Sequence, residues 1–138
     1  MKSLIKFQNL FLIAFLILFL PISFCAQEKE EDTQPPKKNA KITFVELGSV
    51  NCIPCKKMQP IMDSIEEKYG DQIEVIFYDV WKTEGKPYAS KYGIRLIPTQ
   101  VFLDKNGNEF HRHEGFYPEK EIDKILQEKG LTPKAEIK

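Results

Sequence analysis

The feature that most constrains this chain is Cys52-Ile53-Pro54-Cys55, set between a short apolar run, Ile42 to Leu47, and a helix-like run, Lys56 to Tyr69. At such a strand-to-helix junction two thiols three positions apart share the first helical turn, where unpaired backbone N–H groups and the helix dipole favour a negative sulfur. A pair of this spacing also serves as half of a zinc site. The spacing alone therefore leaves two chemistries open, thiol redox exchange and metal ligation.

The surroundings favour redox. Glu46 lies near the end of the apolar strand, six residues before Cys52; Pro60 falls inside the helical run, and Ile97-Pro98-Thr99 opens another strand far along the chain. On these residues the chain resembles the thioredoxin family, from Lys41 to Lys129. The resemblance implies a redox-active cysteine pair at the start of a helix, a buried acid at Glu46, a proline within that helix, and a cis bond before Pro98. Two positions depart from the family's habit. Glu46 stands where aspartate is more usual, and Asn51 stands where a tryptophan usually precedes the first cysteine.

A chain of 138 residues with 42% hydrophobic content, much of it in the first 25 residues, can build one core. Lys+Arg and Asp+Glu are each 20, but Lys2 and Lys6 precede the first acid, Glu28, so removal of the first 25 residues leaves 18 basic against 20 acidic side chains. Nothing in this balance calls for a nucleic-acid partner, which would require a basic face. Apart from Cys25 the pair are the only cysteines, so no structural disulfide competes with it.

Lys2 and Lys6, then the unbroken apolar run Leu10 to Leu20 and Pro21, form the pattern of an export signal. Eleven helical residues rise about 16 Å, roughly half a bilayer core. An uncleaved anchor is the alternative for residues 1–25. Ile22-Ser23-Phe24-Cys25 approximates a lipoprotein box in which Cys25 carries the lipid, although Phe24 replaces the expected small residue; plain cleavage after Cys25 or Ala26 fits equally. Each outcome places the domain outside the cytoplasm, periplasmic or at the cell surface. Residues 26–40, charged and containing Pro35-Pro36, then form a flexible tether.

Lys41 to Leu47 is mostly apolar, as expected of a central strand covered on both faces. The following helix carries Met58, Ile61, Met62 and Ile65 as a core stripe and stops at Gly70; Pro60 removes one of its hydrogen bonds and should kink it. Ile73 to Val80 is a second, parallel strand, followed by a helix over Lys82 to Tyr92; Trp81 at the strand's exit either lines the active surface or pins a loop. Thr99 to Leu103 turns through Asp104-Lys105-Asn106-Gly107 into Glu109 to His113, an antiparallel hairpin. Pro118 to Lys129 is a last amphipathic helix with Ile122, Ile125 and Leu126 inward, and residues 131–138 form a polar tail. The expected architecture is α/β: a minimal thioredoxin fold over residues 41–130, with a four-stranded mixed sheet in the order β-α-β-α-β-β-α flanked by helices.

Disulfide exchange needs an attacking thiolate, a resolving thiol and a path for the proton. Cys52, nearer the helix start and more exposed, is the attacker, and Cys55 the resolver. Lowering a thiol pKa from ~8.5 to ~7 raises the thiolate fraction at pH 7 roughly sixteenfold, of which roughly fivefold is lost to weaker nucleophilicity. The larger gains come from Cys52 as a leaving group and from the proximity of Cys55. Glu46, raised by apolar surroundings, accepts the Cys55 proton. Pro98, if cis as the family implies, presents the Ile97 backbone to an extended substrate segment, with Thr99 beginning the next strand. Ile53 and Pro54 tune the pair, and Pro54 after Ile53 is closer to reducing thioredoxins than to the oxidases.

The sequence thus leads to an exported, membrane-tethered thiol-disulfide oxidoreductase that reduces protein disulfides, without a cofactor and supplied with electrons by a membrane thiol relay. The alternatives are a thiol oxidase of the same fold and a metal-delivery module. The latter would use Cys52, Cys55 and a histidine, since His111 and His113 are two apart on one strand and point the same way. Ordinary surface histidines at a sheet edge are the favoured reading, and no metal is expected.

Overall fold

The computed structural model describes residues 40–134; the leader with Cys25, the tether through residue 39 and residues 135–138 lie outside the described residues. The elements are β1 (Ile42–Gly48), α1 (Ile53–Tyr69), a 3-10 turn (Gly70–Gln72), β2 (Ile73–Asp79), α2 (Lys86–Lys91), β3 (Thr99–Asp104), β4 (Glu109–Glu114) and α3 (Glu119–Glu128). The sheet order is β2-β1-β3-β4. Its β1 is parallel to β2 and antiparallel to β3, and β4 is antiparallel to β3. This is the mixed sheet and element order that the sequence leads one to expect.

Alternation along β1 divides the molecule into layers. Ile42 and Phe44 pack on one side with Met58, Met62 and Ile65 of α1, Phe102 of β3, and Ile122 and Leu126 of α3. Val45 and Leu47 pack on the other side with Val101 of β3 and with Tyr88 and Ala89 of α2. A strand covered on both faces has no solvent side on which to place polar residues, which explains why β1 shows no clean alternation in sequence. The Phe44 and Phe102 rings stack at 4.6 Å in the middle of the larger core.

Two further devices fix the elements around the site. In the β3–β4 turn the Asp104 carboxylate accepts the backbone N–H of Asn106 at 2.8 Å and of Asn108 at 2.9 Å, while Gly107 takes a φ of 80° that a side chain rarely tolerates. Between α1 and α3, Lys68 meets Glu119 at 2.6 Å and Asp123 at 2.7 Å, and the Tyr69 hydroxyl donates to Asp123 at 3.0 Å. The Lys68 ammonium holds the Glu119 carboxyl below its ordinary value.

Two elements differ from expectation. The second helix is confined to Lys86–Lys91 because Pro87 belongs in a first turn and Gly85 brings its Cα against the Asp79 backbone, a close approach no larger residue allows. The segment after α3 begins as part of the packed body. Leu131 joins the larger core, and Thr132 exchanges hydrogen bonds with the Gln72 side chain at 2.7 and 3.1 Å. At α1 the helix starts at Ile53, three residues before the helix-like run that begins at Lys56, and runs through Pro60 to Tyr69.

Candidate active site

Cys52 is the N-cap of α1. Its backbone is extended (φ −90°, ψ 125°), and its sulfur accepts the Cys55 backbone N–H at 3.4 Å. A helix N-terminus has donors with no partner in the helix, and here a sulfur takes one of them, the arrangement that stabilises negative charge on sulfur. Pro54 falls in the first turn, where its missing N–H costs nothing. Cys52 and Cys55 form a disulfide, with Cα atoms 5.2 Å apart. Cys55 is fully buried, whereas Cys52 keeps 8% of its surface and Ile53 between them is 73% exposed.

The loop that delivers Cys52 is held from beneath. Cys52 N–H donates to the Ser49 carbonyl at 3.1 Å, and Val80 N–H donates to the Gly48 carbonyl at 2.9 Å. Asp79, at the end of β2, accepts Val50 N–H at 3.3 Å with one carboxylate oxygen and Trp81 N–H at 3.1 Å with the other. One side chain thereby ties the cysteine loop to the loop carrying Trp81.

Gly48 allows the two cysteines to lie this close to the sheet. A Cβ at that position would meet the Cβ and Sγ of Cys55, and the Phe77 ring, each at 3.2 Å. Glu46, two residues earlier on β1, points to the same side of the sheet. It is completely buried, and neither carboxylate oxygen has a hydrogen-bond partner. Burial pushes its pKa up from 4.5 to about 8; the neighbouring Gln100 amide opposes that rise. Glu46 pairs across the sheet with Phe77 on β2 and with Gln100 on β3. The acid therefore sits in the α1-side layer beneath the cysteine loop, protonated at neutral pH.

The Ile97–Pro98 bond is cis. Pro98 and Thr99 are buried, and the Thr99 hydroxyl donates to the Leu96 carbonyl at 2.7 Å; the Ile97 side chain packs into the smaller core, on the α2 side. The Pro98 carbonyl accepts Gly115 N–H at 2.7 Å, which joins the proline loop to the turn after β4. The loops after β1, β2 and β4 and the loop before β3 all leave the same edge of the sheet. They carry Val50, Trp81, Leu96 and Phe116, which with Ile53 at the first position of α1 are the large apolar side chains left exposed among the described residues.

His111 and His113 do lie on the edge strand, side by side, and both stack on Tyr117. The Nε2 of His111 lies 2.9 Å from the Tyr117 hydroxyl and that of His113 lies 3.2 Å from the Phe116 carbonyl. Burial, with His113 beside it, lowers the pKa of His111. Among the described residues no group of three or more His, Cys, Asp or Glu side chains is placed to hold a metal ion. Asp79 and Gln100 escape sequence reasoning: an Asp at a strand end and a Gln within a strand carry no motif. Only the pairing of Gln100 with Glu46 makes it visible.

The thioredoxin-like domain family matches residues 27–130. The chain is 35% identical over 86 residues to thioredoxin Y of the rice chloroplast, covering 62% of this chain and 49% of that one, so it spans about half the length of that relative. It is 31% identical over 75 residues to thioredoxin of Bacillus subtilis, covering 54% of this chain and 69% of that one. Among solved structures, a thioredoxin of Malassezia sympodialis superposes with a TM-score of 0.54 at 31% identity, covering 64% of this chain and 76% of that one. With Cys52 capping α1 and bridged to Cys55, the buried acid on β1 and the cis proline before β3 all in place, the chain belongs to the thioredoxin family.

Proposed function

We propose that this protein is an extracytoplasmic thiol-disulfide oxidoreductase that reduces disulfides in other proteins. The observation that carries the reading is Cys52 as the N-cap of α1, its sulfur accepting a backbone N–H and bridged to the buried Cys55. In the reduced protein the Cys52 thiolate attacks a substrate disulfide, forming a mixed disulfide and expelling one substrate thiolate, which takes a proton. Cys55 then attacks the Cys52 sulfur. The Cys52–Cys55 bond forms, the substrate's second sulfur leaves, and the Cys55 proton passes to Glu46 in the minor fraction of molecules, roughly a tenth at pH 7, whose acid is ionised, and onward to solvent. Two electrons go from the cysteine pair to the substrate.

The substrate segment docks in extended form on the Ile97–Pro98 backbone, above Thr99, with the exposed Val50, Ile53, Trp81, Leu96 and Phe116 supplying apolar contact. Support for the reducing direction is Pro54 following Ile53. Support for the location is the leader, with Lys2, Lys6 and the run Leu10 to Leu20, followed by Cys25 as a lipid-carrying or cleaved position. A reductant outside the cytoplasm needs electrons delivered across the membrane, and a membrane thiol relay is the class of donor proposed. The test is insulin reduction by the wild type, C52S and C55S. C52S should have no turnover and C55S should accumulate a mixed disulfide; turnover by C52S would remove that sulfur from the mechanism.

A further inference from the structure

Three polar side-chain atoms among the described residues are buried without a hydrogen-bond partner: both carboxylate oxygens of Glu46 and Oε1 of Gln100. All three belong to one cross-strand pair on β1 and β3. Orphaned buried polar atoms are rare in native folds, and three in one pair point to a place where something changes state. Gln100 is fully buried, and its Nε2 donates to the Gly115 carbonyl at 3.1 Å. A side-chain amide has two N–H donors, so that bond uses one and leaves a second. A protonated acid at Glu46 loses less without it than a carboxylate does. A carboxylate there has no other donor close by: Phe77 covers it from β2, and the α1 side offers the bridged cysteines. The remaining titratable group in the row is His113, which pairs with Gln100 from β4 and whose Nε2 faces the Phe116 carbonyl.

We infer that Gln100 is a positioning residue for Glu46: one of its amide N–H groups turns onto the carboxylate when the acid gives up its proton, so that a charge can form inside the core. The inference rests on the reading of Glu46 as proton acceptor in thiol-disulfide exchange. It adds a link to the docking loop, since the carbonyl that holds the Gln100 amide belongs to Gly115, whose N–H is bonded to Pro98. Because one amide nitrogen would then serve both the Gly115 carbonyl and the Glu46 carboxylate, the protonation of the acid is felt at the proline loop. The proton itself leaves through the cysteine side, and no electrons move in this step.

The test is a carboxyl ¹³C and side-chain amide ¹⁵N titration of the oxidised protein, in which the cysteines do not titrate. The Gln100 amide signals should shift with the same midpoint as the Glu46 carboxyl, near the value of about 8. They should keep that shift in H113F and lose it in E46Q. In Q100M, which keeps the volume without the donor, the Glu46 midpoint should rise by about one unit, leaving roughly tenfold less carboxylate at pH 7. Gln100 signals that stay still through the Glu46 titration, or an unchanged midpoint in Q100M, would overturn the inference. Should Q100M fold poorly, the wild-type amide titration alone decides. None of these readouts requires turnover, so a failure here is distinct from a failure of the insulin assay.

Discussion

Glu46 shows how far position alone can set the chemistry of a residue. The acid keeps its proton in the fold up to about pH 8, against an ordinary value of 4.5. Between these values the folded state binds the extra proton, so its stability is full below the lower value, falls as pH rises through the window and levels off above the upper one. Keeping an acid neutral against its unfolded tendency costs on the order of 3 kcal/mol at pH 7. Urea unfolding of oxidised wild type and E46Q at about pH 5 and about pH 8 checks this. The advantage of E46Q should grow by a few kcal/mol between the two, and a constant difference would mean that Glu46 ionises freely. The sequence shows an acid six residues before Cys52, and the family resemblance gives it a buried place. Neither shows Gln100, because that pairing depends on the β1–β3 register and not on spacing along the chain.

At the scale of elements, β1, α1 and the loop between them make the site, and Gly48 sets their separation. G48A should cost about 1–3 kcal/mol, since its Cβ presses on Cys55 and on the Phe77 ring. F77L, by giving that methyl room, should recover part of the loss in the double variant, and an unaltered cost would place the strain on the cysteine side alone. Asp79 is the matching brace on the other flank. D79A should speed amide exchange at Val50 and Trp81 severalfold, with little change in the core strands. Element types were legible because the apolar run of β1 and the apolar periods of α1 and α3 are strong. The second helix is shorter than its composition indicates because Pro87 and Gly85 fix its start through a contact with β2. The cap at Cys52 was legible as spacing, but the backbone N–H on its sulfur required the fold.

In the whole molecule, the sheet is a platform whose one edge gathers everything the chemistry uses. Parallel pairing of β1 with β2 and antiparallel pairing with β3 bring the cysteine loop, the Trp81 loop, the cis proline and the turn after β4 to that edge. The exposed apolar side chains lie on those same loops and at the first residue of α1, while α1 and α3 close the back through Lys68, Glu119 and Asp123. The central claim is that the two sulfurs cycle as one unit. Its most direct test is equilibration of the purified protein across a series of glutathione redox buffers, followed by thiol alkylation and mass measurement. One reversible two-electron transition between the Cys52–Cys55 dithiol and disulfide, absent in C52S, is the predicted result. Cysteines that oxidise independently of one another, or a bond that once reduced does not re-form, would contradict it.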